Sequence, residues 1–157
     1  MSIAPKLQDY LARHRVAYEL VAHRHTMSSM ETAAAAHVPG DRLAKGVVVE
    51  DEQGYLLAVV PSTYHVKLGD LGKQLNRRSL RLASEEELKN LFSDCETGAV
   101  PPVGGAYGLP AVVEEDLTRE PDVFFEAGDH EHLVHVAQAD FARLLGDAPR
   151  VHFARHV

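Results

Sequence analysis

The chain has 157 residues, 45% of them hydrophobic, and a formal net charge of −7, as expected for one globular domain with a single core. No apolar run approaches the length of a membrane-spanning helix, and the N-terminal segment lacks the apolar stretch of a secretory signal. We therefore expect a cytoplasmic protein with no membrane contact. The negative net charge argues against non-specific binding to duplex nucleic acid.

Helices and strands are predicted from apolar spacing, capping pairs and Gly or Pro breaks. In chain order they are a helix containing Leu7, Tyr10 and Leu11, strand 17–21, a helix between Ser28 and Pro39, a hairpin of strands 47–49 and 56–60, helix 68–75, strand 80–82, helix 85–91, strands 111–114, 123–127 and 132–136, helix 138–145 and strand 151–153. Hairpins and crossovers occur together, which predicts a mixed α/β fold in a single domain over residues 1–157. No repeat or linker interrupts it.

The single cysteine, Cys95, excludes an intrachain disulfide and a multi-thiolate metal site. Its neighbours Asp94 and Glu96 would raise the thiol pKa by like-charge repulsion, so we interpret Cys95 as structural. The chain also lacks the Gly-rich motifs of dinucleotide and NTP sites.

Charge is distributed unevenly along the chain. Residues 67–81 carry one acid and five bases, namely Lys67, Lys73, Arg77, Arg78 and Arg81, which we call the basic segment. Residues 114–131 carry eight acids and one base. Two solvated faces of opposite sign would explain this pattern, and so would a small patch that contacts a polyanion.

Two local features suggest a ligand site. The segment from Glu96 to Gly105 is rich in Gly and Pro, which predicts a stiff loop whose main-chain groups can meet a small polar ligand. Lys45 precedes Gly46 at the start of an apolar strand. Its ammonium group would either reach solvent or face a phosphate or carboxylate in a cleft.

Histidines provide a second hypothesis. The candidate metal ligands are His23, His25, His130, His132 and His135. The last three do not have the spacing of a helical zinc motif, and on a strand only two of them would share a face. A metal-dependent hydrolase built on these side chains is therefore an alternative. His130, just after Gly128, differs from the others because a turn would let its imidazole reach a ligand.

Three separated segments together resemble the YbaK and prolyl-tRNA-synthetase-associated domain family of aminoacyl-tRNA editing domains. They are Lys45-Gly46, the loop Thr97-Gly98-Ala99-Val100-Pro101-Pro102-Val103-Gly104, and Ala127-Gly128-Asp129-His130. Further matches are 56–61, 82–88 and 139–141, so the resemblance covers nearly the whole chain. It implies a central mixed, largely antiparallel sheet of about six to seven strands flanked by helices.

The resemblance also implies a free-standing deacylase that removes a wrong amino acid from the 3′ end of a tRNA. The expected amino acid is small, such as Ala or Cys, and tRNA(Pro) is the expected carrier. The resemblance implies catalytic roles for Lys45, Gly98 and His130. It implies an aminoacyl pocket lined by Ala99, Val100, Pro101, Pro102 and Gly128. Met27, Met30 and Val47 are further candidates for the pocket lining, where they would help to set its volume. The basic segment would contact the tRNA, and prolyl-tRNA synthetase or another tRNA-binding protein would be a partner.

Ester hydrolysis requires an oriented water, stabilisation of an oxyanion and a proton route. The N–H groups of a Gly-rich loop can stabilise the oxyanion. No cofactor or metal is required by this chemistry. A non-catalytic module that binds an aminoacylated end or a nucleotide would use the same features, so it is the main alternative.

Overall fold

The computed structural model describes residues 3–156. Its helices are α1 (Pro5–Arg13), α2 (Ser29–Ala36), α3 (Leu68–Leu75), α4 (Glu85–Leu91) and α5 (Gln138–Leu145). Its strands are β1 (Glu19–Ala22), β2 (Leu43–Asp51), β3 (Gly54–Pro61), β4 (Tyr64–Val66), β5 (Arg81–Leu82), β6 (Ala111–Glu114), β7 (Asp122–Glu126), β8 (His132–Ala137), β9 (Arg150–Val151) and β10 (Ala154–His156). Short 3₁₀ turns occur at Gly40–Arg42, Gly104–Tyr107 and Glu115–Arg119.

The main sheet has the strand order β1-β8-β7-β2-β3-β6-β9, and β5 pairs with the far end of β2. The pairs β2–β7, β3–β6 and β6–β9 are parallel, whereas the other pairs in this sheet are antiparallel. The predicted mixed α/β fold is confirmed, with eight strands in this sheet instead of six to seven. A second, two-stranded sheet pairs β4 with β10, and the sequence did not predict either of these three-residue strands.

Strand β3 lies at the centre of the sheet and is apolar on both faces, as its sequence predicted. Leu57 and Val59 point to one face, into the core covered by α1 and α5. Ala58 and Val60 point to the other, into the core to which α3 contributes Leu71. The sheet is therefore covered by helices on both sides.

Capping side chains mark where two helices begin. Ser84 and Glu87 form a full capping box at the start of α4, as predicted. Ser28 accepts a hydrogen bond from the Glu31 N–H at the start of α2. Helix α2 stops before the predicted Pro-Gly break, because His37 adopts a left-handed conformation with φ of 58° and its N–H closes the last turn.

The C-terminal strand is attached to the main sheet by a buried carboxylate. Glu114 is fully buried, and its Oε1 accepts hydrogen bonds from the N–H groups of Phe153 at 3.0 Å and Ala154 at 2.9 Å. Its Oε2 lies 3.1 Å from the Asp116 N–H and 2.9 Å from His152 Nδ1. Because these backbone donors have no water to replace the carboxylate, Glu114 is needed for the path of the chain after β9.

Replacing Glu114 by Ala should lower the free energy of unfolding by about 3 kcal/mol or more, because buried N–H groups lose their acceptor. Urea denaturation at pH 7 measures this loss. Glu52→Ala, in the exposed hairpin turn between β2 and β3, is the control and should change stability by less than about 0.5 kcal/mol. Equal stability of the two variants would contradict the role assigned to Glu114.

Candidate active site

The site forms where β2 and β7 separate. These parallel strands pair only at Leu43 with Phe124 and Ala44 with Phe125, and β7 ends one residue later. The segment 96–102, which we call the Gly98 loop, spans the resulting opening. At one end the Glu96 N–H donates to the Gly128 carbonyl at 2.8 Å, just beyond β7.

The other end of the Gly98 loop packs against β2 at Gly46. A Cβ built on Gly46 would lie 3.5 Å from Pro102 Cα, 3.6 Å from Val100 Cγ1 and only 2.8 Å from Leu57 Cδ1. The two loop distances are ordinary van der Waals contacts, so a side chain at Gly46 would mainly displace the end of Leu57 on β3. The fold brings together all three segments that the sequence singled out.

Lys45 points to the face of the sheet opposite Gly46, because side chains alternate along a strand. It lines a cavity of about 320 Å³ together with Met30, Ser62, Thr63, His65 and His156. The side chain is half-buried, and burial lowers the pKa of its ammonium group. Within residues 3–156, Lys45 makes no hydrogen bond or ion pair, so its charge is left for a ligand.

Gly98 is the turning point of the loop, with φ of +85°. A Cβ there would lie 3.5 Å from the His130 ring, an ordinary contact, so the backbone conformation is what favours glycine. Within the described part of the chain, the N–H groups of Thr97 and Gly98 donate to no acceptor, and both residues are exposed. Two adjacent free donors of this kind are suited to stabilising an oxyanion.

His130 lies beneath this turn instead of projecting into open space. It is 4% exposed and has a left-handed φ of 60°. Its Nε2 lies 2.7 Å from the Thr97 carbonyl oxygen, and because a carbonyl only accepts, Nε2 carries the proton. The sequence predicted that the imidazole reaches a ligand; in the structure it supports the backbone that carries Gly98.

Glu126, the last residue of β7, is a functional candidate that the sequence analysis missed. It is 7% exposed, and its Oε2 lies 3.3 Å from His130 Nδ1 while its Oε1 has no partner in the described chain. Burial, reinforced by the charges of Asp129 and Glu96 and opposed by His25, raises the pKa of Glu126 to about 7. The available signal was a carboxylate in the otherwise apolar segment 123–127, directly before Ala127 and Gly128.

The predicted pocket residues divide into two groups. Met27 and Met30 are 76% and 56% exposed beside the start of α2 and remain accessible to a ligand. Val47 packs against the core on the α3 side of the sheet. The side chains of the loop are also buried, namely Ala99, Val100, Pro101 and Pro102. Because these apolar groups pack into the core, the surface that the loop offers is the backbone of 96–98, and the predicted lining by 99–102 is corrected accordingly.

Gly128 also faces the interior. Its φ is +118°, and a Cβ there would lie 3.0 Å from Ala4 Cβ and 3.3 Å from Cys95 Sγ. It supports the loop from behind instead of forming the predicted pocket wall. Burial raises the Cys95 pKa to about 12, and its thiol contacts Asp94 and Tyr107, which supports its interpretation as structural.

Four members of the basic segment are exposed, namely Lys67, Lys73, Arg78 and Arg81. Arg77 differs, because its Nε donates to Asp51 Oδ2 at 2.8 Å and its terminal nitrogen contacts Asp51 Oδ1 and the Gly54 carbonyl. This bidentate contact lowers the Asp51 pKa to about 2. Arg77 therefore holds the β2–β3 turn, and its predicted role as a tRNA contact is replaced by a structural one.

The histidines do not converge on a metal site. His132 pairs with Asp129, His135 with Asp122 and His25 with Glu96. In residues 3–156, side chains with metal-ligand spacing occur at Glu114, Asp116 and His152, a group that contains none of the predicted histidines. The oxygens of Glu114 there already accept four hydrogen bonds.

Residues 23–144 match the family described as the aminoacyl-tRNA editing domain. The chain belongs to this family. Among solved structures, a proposed trans-editing enzyme for prolyl-tRNA synthetase shares 26% identity and a TM-score of 0.82, over 97% of this chain and 96% of that one. The family resemblance that the three sequence segments carried is thus confirmed, and the family's chemistry is hydrolysis of aminoacyl-tRNA.

Two further structures share the fold of this editing domain. A scaffold protein used for computational epitope grafting has 22% identity and a TM-score of 0.83, over 98% of this chain and 97% of that one. A proposed signal transduction protein from Marinobacter aquaeolei VT8 has 22% identity and a TM-score of 0.77, over 95% of this chain and 30% of that one. Across the described residues of the editing domain, no helix has the length and apolarity to span a bilayer.

The raised pKa of Glu126 predicts how the stability of the editing domain depends on pH. A raised carboxyl pKa adds stability that is present below its ordinary value of 4.5 and is lost as the pH rises through about 7. Between pH 5 and pH 8 the wild type should therefore lose about 3 kcal/mol of unfolding free energy relative to Glu126→Gln. Denaturant melts at each pH measure the difference. Parallel curves would contradict it, and Glu131→Gln, an exposed control, should run parallel to wild type.

Proposed function

We propose that this protein is a trans-editing aminoacyl-tRNA deacylase that hydrolyses the ester between a wrongly attached amino acid and the 3′-terminal ribose of a tRNA. The observation that supports the proposal is the pair of unpaired N–H donors at Thr97 and Gly98, on the loop that packs against β2. A second, separate feature supports it, namely the unpaired, half-buried cation Lys45 on the same strand.

The reaction proceeds without a protein nucleophile. A water oxygen attacks the ester carbonyl carbon, and the carbonyl oxygen becomes an oxyanion that accepts hydrogen bonds from the N–H groups of Thr97 and Gly98. The tetrahedral intermediate then expels the ribose 3′ oxygen, which takes up the proton that the attacking water loses. The neighbouring ribose hydroxyl is a suitable carrier for that proton. The products are the free amino acid and the uncharged tRNA.

Lys45 acts on the substrate as a fixed positive charge. A cation whose pKa is lowered by burial gains most from an anionic partner, because desolvation strengthens the contact. The phosphate of the terminal nucleotide is such a partner. Met30 and His65 line the same cavity and would contact the terminal nucleoside or the aminoacyl side chain.

We propose a small amino acid, Ala or Cys, as the residue removed and tRNA(Pro) as its carrier. The proposal rests on the family resemblance and on the neighbour described as a proposed trans-editing enzyme for prolyl-tRNA synthetase. Prolyl-tRNA synthetase, which would release the mischarged tRNA, is the proposed partner, and the cytoplasm, where translation takes place, is the proposed location.

Replacing Lys45 by Met removes the charge while keeping most of the side-chain volume. Loss of one charge-assisted contact costs about 1.5 to 3 kcal/mol, so deacylation of mischarged tRNA should slow about tenfold to a hundredfold. Single-turnover release of labelled alanine from Ala-tRNA(Pro) measures the rate. Lys89→Met, an exposed lysine on α4, is the matched control and should behave as wild type.

A wild-type rate in Lys45→Met would contradict the role of Lys45. Stoichiometric binding of the aminoacyl-tRNA with no release by the wild-type protein would contradict the deacylase proposal itself and favour a binding module.

The exposed part of the basic segment predicts a tRNA contact beside the site. Arg78→Glu should weaken tRNA binding and reduce the slope of log affinity against log salt by about 1, as expected when one phosphate contact is lost. Arg77 is unsuitable for this test because it holds Asp51. Arg13→Glu, an exposed arginine on α1, is the control. An unchanged slope in Arg78→Glu would remove Arg78 from the tRNA interface.

A further inference from the structure

Glu126 and His130 are buried side by side, and the imidazole hydrogen-bonds the Gly98 loop through only one of its two nitrogens. His130 Nε2 lies 2.7 Å from the Thr97 carbonyl oxygen, and His130 Nδ1 lies 3.3 Å from Glu126 Oε2. The two residues are 7% and 4% exposed, so water does not replace either contact. The charge of Glu126 opposite Nδ1 therefore influences whether Nε2 carries the hydrogen that is donated to Thr97.

His130 Nδ1 makes no hydrogen bond in the described chain, so its distance of 3.3 Å to Glu126 Oε2 is a close electrostatic contact. When the Glu126 carboxyl keeps its proton, the neutral imidazole carries its hydrogen on Nε2, where it serves Thr97. When the carboxyl loses that proton, a neutral imidazole with its hydrogen on Nε2 directs the Nδ1 lone pair at a carboxylate. The other tautomer satisfies Glu126 but directs the Nε2 lone pair at the Thr97 oxygen. Either state sacrifices one of the two contacts.

The surroundings of the pair favour retention of the proton on Glu126. Glu96 on the Gly98 loop and Asp129 in the turn after β7 both oppose a negative charge on Glu126, and burial acts in the same direction. His25, whose ring centroid is 5.5 Å from that of His130, opposes them, but it is itself hydrogen-bonded to Glu96 at 3.0 Å. The cation on the neighbouring strand β2, Lys45, is not among the groups that act on Glu126.

We propose that Glu126 is a positioning residue: while its carboxyl is uncharged, His130 keeps its hydrogen on Nε2, holds the Thr97 carbonyl, and so fixes the Gly98 turn in the conformation that presents its N–H groups. Loss of the carboxyl proton releases the turn. The effect on catalysis rests on the proposed function, whereas the effect on the Thr97 carbonyl does not.

Glu126→Gln removes the titratable proton and keeps the shape of the side chain. The amide introduced by this substitution stays uncharged at every pH, so the neutral imidazole keeps its hydrogen on Nε2 and its bond to Thr97. The variant therefore mimics the protonated pair and is not expected to disturb folding.

The first test is an NMR titration of the carbonyl carbon of Thr97 and the amide of Gly98 between pH 5 and pH 9. In the wild type both signals should shift together in one step as the pair loses its proton, and in Glu126→Gln the step should be absent. His25→Gln should retain the step, which excludes the neighbouring imidazole as its source. A step of equal size in Glu126→Gln, or none in the wild type, overturns the proposal.

The second test compares deacylation rates after subtraction of uncatalysed ester hydrolysis. The ratio of kcat in Glu126→Gln to kcat in the wild type should rise about tenfold or more from pH 6 to pH 9, with KM unchanged because tRNA contacts are not altered. Because Lys45 is present in both proteins, its effect on the pH dependence of kcat cancels in the ratio of the two kcat values. A constant ratio overturns the catalytic consequence. If neither protein deacylates tRNA, the proposed function fails, and the Thr97 titration alone decides the role of Glu126.

Discussion

The parallel pairing of β2 with β7 covers only two residue pairs, and the candidate site depends on where it stops. Up to Ala44 the two strands share main-chain hydrogen bonds, and beyond it β7 turns away at Gly128 while β2 continues along β3. The Gly98 loop occupies the space between them. A longer pairing would leave no space there for the loop that carries the free N–H groups of Thr97 and Gly98.

Two buried glutamates of the main sheet, Glu114 and Glu126, have different roles. Glu114 has all its contacts satisfied by backbone donors and a histidine, as a structural carboxylate requires. Glu126 has one oxygen without a partner in the described chain and one at a long distance from His130. The incompletely hydrogen-bonded carboxyl of Glu126 lies directly beneath the Gly98 turn. Such locally unfavourable arrangements cluster at functional sites.

Two basic residues show why charge alone does not identify a ligand site. Arg77 belongs to the most basic part of the chain, yet its guanidinium is fully engaged by Asp51 and the Gly54 carbonyl. Lys45 stands alone in an apolar strand and has no partner in the described chain. The isolated cation is the one available to an external anion, because burial without compensation makes such a partner favourable.

Most helices and strands of the fold could be predicted from the local pattern of apolar and capping residues. Helices α3, α4 and α5 have the predicted bounds, because apolar spacing and capping residues such as Ser84 act within a few positions of the chain. The short strands β4 and β10 were missed, since three residues carry too little alternation to be recognised. The end of α2 was misplaced because His37 adopts a left-handed conformation that no sequence motif signalled.

The sequence by itself determined the mixed α/β class, the absence of an intrachain disulfide and the three segments that carry the family resemblance, since these depend on residue type and local spacing. Only the tertiary structure decided that the loop offers its backbone at 97–98 while residues 99–102 are buried, and that Arg77 is held by Asp51. It also decided that His130 lies between Glu126 and Thr97. Such contacts join residues far apart in the chain, and their direction is set by the register of strands that no local pattern specifies.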